Sequence, residues 1–166
     1  QLRDGDGGPR ARPGDAVPAM SPRPGEALCI YRKEDTSSRC EIWDQDGRRS
    51  LWFDDVILQS EIELADPGHL PNPVNRAMLA PLMFTPSPRR VLLAGCGGGA
   101  IARWFHHHAP QTPGDAVEIS SEVAQLARDY FDFPPASTAW QLVCADVRDF
   151  VQSAASEYDY LLVDLE

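Results

Sequence analysis

Residues 91–100 read VLLAGCGGGA, and this stretch decides the fold. The apolar run RRVLLAG is typical of a buried strand, and the glycines that follow allow a sharp turn into a helix, AIARWFHHHA. Such a turn leaves the amides at the helix start open to a ligand. The stretch therefore predicts a strand–turn–helix unit with a binding site at its glycine loop.

The same alternation continues along the rest of the sequence. The strand-like runs are DAVEI, WQLVCAD and YDYLLVD, and helix-like SSEVAQLARDYF and VRDFVQSA lie between them. Strands that alternate with helices at this spacing predict right-handed βαβ units and a parallel sheet. We expect residues 89–166 to form the first half of a Rossmann-like, nucleoside-binding domain.

The residues before this domain form three segments that differ in composition and predicted structure. Residues 28–64 contain four short strand-like runs with an Asp-Gly turn signal at Asp46, which predicts a small antiparallel β-meander. Residues 65–88 predict a linker and a helix, NPVNRAMLAPLMF, that Pro81 should end or kink. Residues 1–27 are rich in Pro and Gly and predict a disordered tail.

Composition excludes several classes of protein. The 25 acidic and 15 basic residues give a net charge of -10, which argues against a nucleic-acid or membrane-surface partner. No apolar run approaches the roughly 20 residues that span a bilayer. The four cysteines lack the close spacing of a zinc or redox motif, and three consecutive histidines from His106 predict a solvated helix end. We expect no metal and reduced thiols in a cytoplasmic protein, although a Cys29–Cys40 bridge stays open for a secreted one.

Three carboxylates follow strands of the predicted parallel sheet. Glu118, Asp146 and Asp164 end the second, third and fourth strands, and open α/β sheets bind ligands at this carboxyl edge. Glu118 would accept hydrogen bonds from the hydroxyls of a ribose. Each carboxylate alone could instead cap a helix or face solvent. Their combination with the glycine loop favours a nucleoside site.

Residues 52–164 resemble the spermidine synthase-like (polyamine aminopropyltransferase) family, a branch of the S-adenosylmethionine-dependent methyltransferase fold. The motifs that carry the resemblance are, in order, WFDDVILQSEIE, PSPRRVLLAGCGGG, AVEISSEVAQLARDYF, CADVRDF and YDYLLVD. The resemblance implies a donor, S-adenosylmethionine or its decarboxylated form, and an acceptor that is a small-molecule amine or another nucleophile.

The resemblance also implies roles for individual residues. Gln59 corresponds to the glutamine that touches the nucleoside and sulfur of the donor, Glu118 to the ribose ligand and Asp146 to the acid beside the adenine amino group. Asp164 corresponds to the catalytic acid that accepts a proton from the attacking amine. The cofactor-binding glycines of the loop are Gly95, Gly97 and Gly99.

Some positions depart from the family pattern. Gly98 stands where family members carry a loop acid that binds the cationic donor tail, and Asn75 and Arg76 stand where they carry tyrosine and glutamine. Gln59 and the meander favour aminopropyl transfer. Gly98 and Arg76, an arginine that could suit a carboxylate-bearing donor, leave methyl transfer open. A catalytically inactive nucleoside-binding or assembly module is a further alternative.

The resemblance also bears on assembly. Related folds continue past the fourth strand, whereas this sequence predicts four parallel strands in the order 3-2-1-4, with YDYLLVD at an open edge. Such an edge invites pairing with another chain. We therefore expect a sheet truncated from a longer parent, or a homodimer.

Overall fold

Two four-stranded sheets make up the chain. The computed structural model describes residues 25–34, 39–54, 56–153 and 157–165, and the tail predicted for residues 1–27 lies almost wholly outside this part. One sheet is antiparallel and comes first in the sequence, and the other is parallel. The predicted fold class, a β-meander followed by a parallel Rossmann-like sheet, is confirmed.

The antiparallel meander consists of β1 to β4 in sequence order. Asp46 and Gly47 link β2 to β3 with φ values of 50° and 78°. Two positive φ values in a two-residue loop define the tight turn that Asp-Gly favours, so the predicted hairpin is confirmed. The strands are Leu28–Glu34, Arg39–Gln45, Arg48–Phe53 and Ile57–Glu63.

A short helix, α1 (Pro73–Met78), follows the meander. Asn72 caps it, because its side chain accepts a hydrogen bond from the Val74 amide at 2.8 Å. The chain then continues as a 3₁₀ turn over Ala80–Met83. The predicted interruption is confirmed, and Pro81, which has no amide hydrogen to donate, accounts for it.

The parallel sheet has the strand order β7-β6-β5-β8. This is the predicted order 3-2-1-4, with the glycine loop beside the centre of the sheet. Its strands are Val91–Ala94 (β5), Gly114–Glu118 (β6), Trp140–Cys144 (β7) and Tyr160–Val163 (β8). The helices between them are Ala100–His108 (α2), Ser121–Tyr130 (α3) and Val147–Ser153 (α4).

Apolar packing joins the meander to the parallel sheet. One buried cluster brings Ile42 and Leu51 of the meander against Leu126 and Phe131 at α3. Arg49 strengthens this joint, since its guanidinium pairs with Asp44 and donates to the Tyr130 carbonyl at 2.9 Å. The packing holds β4 over the glycine loop.

The cysteines are all free. Within the meander Cys29 lies opposite Trp43, and Cys40 lies opposite Lys33, so the two thiols sit in different cross-strand pairs. The structure therefore contains no Cys29–Cys40 bridge. None of the helices in the described part of the chain is long and apolar enough to cross a bilayer.

Candidate active site

A cavity of about 410 Å³ opens at the carboxyl ends of the parallel strands. This volume is within the range of small-molecule sites. Its walls bring together six predicted residues: Gln59, Gly95, Gly97, Glu118, Asp146 and Asp164. Gly99 starts α2 with a φ of 75°, and a Cβ there would lie 2.6 Å from the Phe133 ring, so this glycine belongs to the packing behind the loop.

The glycine loop needs glycine for two physical reasons. Gly95 and Gly97 have φ values of 84° and 51°, a region that side chains disfavour. A Cβ on Gly95 would also overlap the carbonyl oxygen of Asp164. Because Asp164 donates its amide to the Ala94 carbonyl at 2.8 Å, β8 runs directly against the loop. Gly95 therefore brings the end of β8 into the cavity wall.

Glu118 holds the loop from the neighbouring strand. Its Oε2 accepts the amides of Cys96 at 3.1 Å and Gly97 at 3.2 Å, and its Oε1 accepts the Ser120 amide at 2.9 Å. The residue is only 8% exposed, and that exposure faces the cavity. A carboxylate has about four acceptor positions, so capacity remains for a ligand hydroxyl.

Asp146 adopts the helix-capping arrangement. It accepts the Arg148 amide at 2.8 Å at the start of α4, and its carboxylate pairs with the Arg148 guanidinium at 2.5 Å. These bonds lower the pKa of Asp146 to about 2. The side chain is therefore a carboxylate at neutral pH and can only accept hydrogen bonds.

Replacing Arg148 with Ala should raise the pKa of Asp146 from about 2 towards the ordinary aspartate value, because the guanidinium is the main cause of the depression. Part of the shift should remain, since the Arg148 backbone amide still donates. An NMR titration of the carboxyl carbon measures this value. An unchanged titration would show that the ion pair does not form in solution.

Gln59 and Ser60 on β4 pack against the glycine loop. The Gly98 amide donates to Ser60 Oγ at 2.6 Å, and that hydroxyl donates to Gln59 Oε1 at 2.5 Å. A Cβ on Gly97 would lie 2.5 Å from Gln59 Nε2. These two hydrogen bonds orient the Gln59 side-chain amide with its nitrogen next to the glycine loop.

A second cavity of about 180 Å³ lies on the other side of Gln59. The polar side chains of its wall are those of Gln59, Ser60, Glu61, Asn72, Asn75 and Asp164. Among the residues that the structure describes, no Lys, Arg or His lines this second cavity. Its charged side chains are thus both carboxylates.

Asp164 connects the two cavities. It lies directly after β8, is exposed, and contributes to both walls. Its carboxylate makes no hydrogen bond or ion pair with any residue in the described ranges. The group is therefore free to hold a cation or to accept a proton from a ligand.

Arg76 lies outside both cavity walls. Its guanidinium donates to the Leu70 carbonyl at 2.5 Å and to the Pro71 carbonyl at 2.8 Å. The side chain ties α1 to the preceding linker. The suggestion that Arg76 suits a carboxylate-bearing donor is therefore wrong.

The sequence and the fold both have known relatives, although no family model matches. The chain is 33% identical over 124 residues to a polyamine aminopropyltransferase of Chromobacterium violaceum, covering 75% of this chain and 48% of the relative. A probable spermidine synthase from Corynebacterium glutamicum superposes with a TM-score of 0.68 at 24% identity, covering 87% of this chain and 53% of that one.

The chain is a homologue of the polyamine aminopropyltransferases. It spans about half the length of the curated relatives it matches. This aminopropyltransferase homologue is also 31% identical over 90 residues to the eEF1A lysine and N-terminal methyltransferase of Mus musculus, covering 52% of this chain and 13% of the relative.

Chemistry at Cys96 is limited by its surroundings. The side chain is buried in the glycine loop, and burial, followed by the nearby Glu118 charge, raises the pKa of its thiol. A protonated thiol is a poor nucleophile. In addition, no three His, Cys, Asp or Glu side chains gather as a metal site within the described ranges of this homologue.

Arg103 is a buried cation that the sequence did not single out. It lies on α2, is 1% exposed, and donates to the carbonyls of Gly98, Pro67 and Phe131. Desolvation lowers its pKa to about 10, so it stays charged at neutral pH. It holds the carbonyl side of the glycine loop, while Glu118 holds the amide side.

Two more residues line the cleft that the sequence pattern did not indicate. Ile119 is 71% exposed and lines the first cavity directly after Glu118, and Arg148 lines it two residues after Asp146. An apolar residue next to a strand-end acid was an available signal for the first. Nothing in the pattern marked Arg148, because an arginine in the first turn of a helix is ordinary on a protein surface.

Proposed function

We propose that this aminopropyltransferase homologue binds a nucleoside sulfonium donor and transfers an aminopropyl group to a small amine. The observation that carries the proposal is that Gln59 on β4 lines one cavity together with Glu118, Asp146 and Asp164, which lie at or just after the ends of β6, β7 and β8. The homology to polyamine aminopropyltransferases supports it. In this reading residues 89–166 bind the donor, and the meander of residues 28–64 closes the cleft through Gln59.

The first cavity suits the nucleoside part of such a donor. Phe53, Val117, Ile119 and Val147 give it apolar walls that match the faces of a base. Glu118 would receive the ribose hydroxyls, as a strand-end acid does in related nucleotide sites. Asp146, a carboxylate at neutral pH, would accept a hydrogen bond from an exocyclic amino group of the base.

Asp164 is placed to act where the acceptor amine would attack the donor. A bound sulfonium donor supplies an electrophilic carbon, and an attacking ammonium must first lose a proton. A carboxylate without protein partners can both attract the ammonium and take that proton. Since Asp164 lines both cavities, it stands between the donor site and the space open to an acceptor.

Asp164→Asn should lower the amine-transfer rate about 100-fold or more while nucleoside affinity stays within about twofold, because an amide cannot accept the proton. Transfer is measured with decarboxylated S-adenosylmethionine and putrescine, and affinity by calorimetry with methylthioadenosine. Asp149→Asn is the matched control, since Asp149 is exposed on α4 outside the cavity walls and should change neither value. A fully active Asp164→Asn protein would remove this residue from the mechanism.

Methyl transfer is the second candidate, and Gly98 favours it because the loop carries no acid for an aminopropyl tail. The similarity to an eEF1A lysine and N-terminal methyltransferase supports it. Asp164 opposes it, since the carboxylate of S-adenosylmethionine would lie near this like-charged group, which lines the donor cavity as well. Mass spectrometry of the product, with each donor supplied separately together with an amine, distinguishes aminopropyl transfer from methyl transfer. No product from either donor, with methylthioadenosine still bound, would support an inactive nucleoside-binding module.

The homodimer and the cytoplasmic compartment expected from the sequence stay predictions. Sedimentation of the purified chain at tens of micromolar measures the first.

A further inference from the structure

Arg148 is the one cation in the wall of the first cavity, among the residues that the structure describes. Its side chain is 82% exposed, and its guanidinium holds the Asp146 carboxylate through Nε at 3.0 Å and Nη2 at 2.5 Å. A guanidinium carries five N–H donors. Nη1 donates to no residue in the described ranges, so donors remain for a ligand in the cavity.

The Asp146 carboxylate is committed unevenly to the same partner. Its Oδ1 accepts both the Arg148 amide at 2.8 Å and Nε at 3.0 Å. Its Oδ2 accepts Nη2 and, at the longer distance of 3.2 Å, Nε. Because each carboxylate oxygen has about two acceptor positions, the capacity for a ligand lies on Oδ2, beside the guanidinium. The pair thus offers a ligand an acceptor and a donor side by side.

The sheet topology places this pair at the end of the cleft that suits a base. β7 and β8 are the outer strands, three inter-strand spacings or about 14 Å apart, so Asp146 and Asp164 lie at opposite ends of the cleft. Asp164 is the carboxylate that is free to take a proton, whereas Asp146 has a pKa of about 2 and is a poor proton acceptor. Ile119 and Val147 add apolar surface on the Asp146 side.

The edge of a 6-aminopurine complements this acceptor and donor. Its exocyclic amino group donates, and the neighbouring ring nitrogen, N1 on one edge or N7 on the other, accepts. A 6-oxopurine has a carbonyl oxygen in place of the amino group, and that oxygen would meet the Asp146 carboxylate.

We propose that Arg148 is a specificity-determining residue: its guanidinium donates to a ring nitrogen of the base while Asp146 accepts from the exocyclic amino group, so that the pair selects a 6-aminopurine. The inference rests on the proposed function, because it concerns the donor of the same cleft. It extends that function from a nucleoside in general to one class of base, and it assigns the recognition of the ring nitrogen to a side chain.

The contact with the ring nitrogen is tested by calorimetry with methylthioadenosine and its 1-deaza and 7-deaza analogues. Each analogue replaces one ring nitrogen by a C–H group that cannot accept a hydrogen bond. The unmodified chain should bind one of the two analogues at least about fivefold more weakly than methylthioadenosine, and the affected position identifies the edge. Equal affinity for all three ligands would overturn the proposal.

Arg148→Met removes the donors and keeps an unbranched side chain. The variant should bind methylthioadenosine at least about fivefold more weakly and should no longer distinguish it from the affected deaza analogue. If Arg148 only placed Asp146 or stacked on the base, the variant would keep the deaza penalty, and this result would overturn the proposal. Arg89→Met is the matched control, since Arg89 is 83% exposed and pairs with Asp159 at 3.3 Å outside the cavity walls. It should change no affinity.

The preference for the amino group is a separate measurement. The unmodified chain should prefer methylthioadenosine to methylthioinosine, its 6-oxo counterpart, by about 10-fold or more, because the carbonyl oxygen meets a carboxylate. Asp146→Asn should reduce this preference, since an amide can donate to the oxygen and no longer holds Arg148 as an ion pair. Equal binding of the two nucleosides by the unmodified chain would overturn the selection of a 6-aminopurine.

These measurements also separate the inference from the proposed function. If the unmodified chain binds none of the nucleosides, the proposed function fails and the role of Arg148 fails with it. If methylthioadenosine binds and neither the deaza nor the 6-oxo change weakens binding, only the inference about Arg148 fails.

Discussion

Gly95→Ala should destabilise the chain by at least about 3 kcal/mol, a large part of the stability of an ordinary domain. Two effects add: the φ of 84° disfavours a side chain, and the new Cβ would overlap the Asp164 carbonyl oxygen. Relief requires β8 to move away from β5. Because that movement carries Asp164 with it, transfer activity should fall as well. Chemical denaturation measures the first effect and a transfer assay the second.

Gly47→Ala is the matched control for this prediction. Its φ of 78° is similarly left-handed, but a Cβ there would meet nothing within 4 Å. It should lose about 1 to 2 kcal/mol through backbone strain alone and leave activity unchanged. Equal losses for the two variants would show that β8 does not press against the glycine loop.

Glu118→Ala should weaken methylthioadenosine binding by about 10- to 100-fold, as expected when charge-assisted hydrogen bonds disappear. The variant loses the proposed acceptor for ribose hydroxyls. It also leaves the amides of Cys96, Gly97 and Ser120 without their acceptor, so the loop itself should loosen. Calorimetry measures the affinity, and hydrogen exchange at the loop amides measures the loosening.

Asp159→Ala is the control that separates the loss of backbone support from the loss of a ligand contact. Asp159 also accepts two backbone amides, those of Arg89 at 2.9 Å and Arg90 at 3.0 Å, but it does so before β8 begins, outside the cavity walls. It should reduce stability and leave nucleoside affinity unchanged. If Glu118→Ala behaves in the same way, Glu118 supports the loop only and does not bind ribose.

The strand–turn–helix unit and the hairpin could be read from the sequence because their causes are local. The apolar run of β5, the glycines after it and the Asp-Gly turn each act within a few residues. The order of the parallel strands follows from the preferred handedness of their connections and from the family resemblance. For the same reason the strand-end carboxylates could be expected at one edge.

The contacts that decide the chemistry of the cleft could not be read in this way. Ser60 and Gly98 are 38 positions apart, and no periodicity indicates that one faces the other. Arg76 looked like a ligand-binding cation, yet it satisfies two carbonyls of the linker. The contact between Ser60 and Gly98 depends on how the meander packs against α3, which is a property of the whole fold. The partners of Arg76 depend on how the linker runs before α1.

The sequence by itself therefore determined the sheet, the glycine loop and the set of acids, since hydrophobic patterning and backbone preferences specify these locally. Only the tertiary structure decided which groups remain available to a ligand. Asp146 is paired with Arg148, Glu118 accepts the loop amides, and the Asp164 carboxylate has no partner among the described residues. The physical reason is that each polar group has only a few donor or acceptor positions, and the folded structure decides which neighbour fills them. That neighbour is close in sequence for Asp146 and comes from another strand end for Glu118.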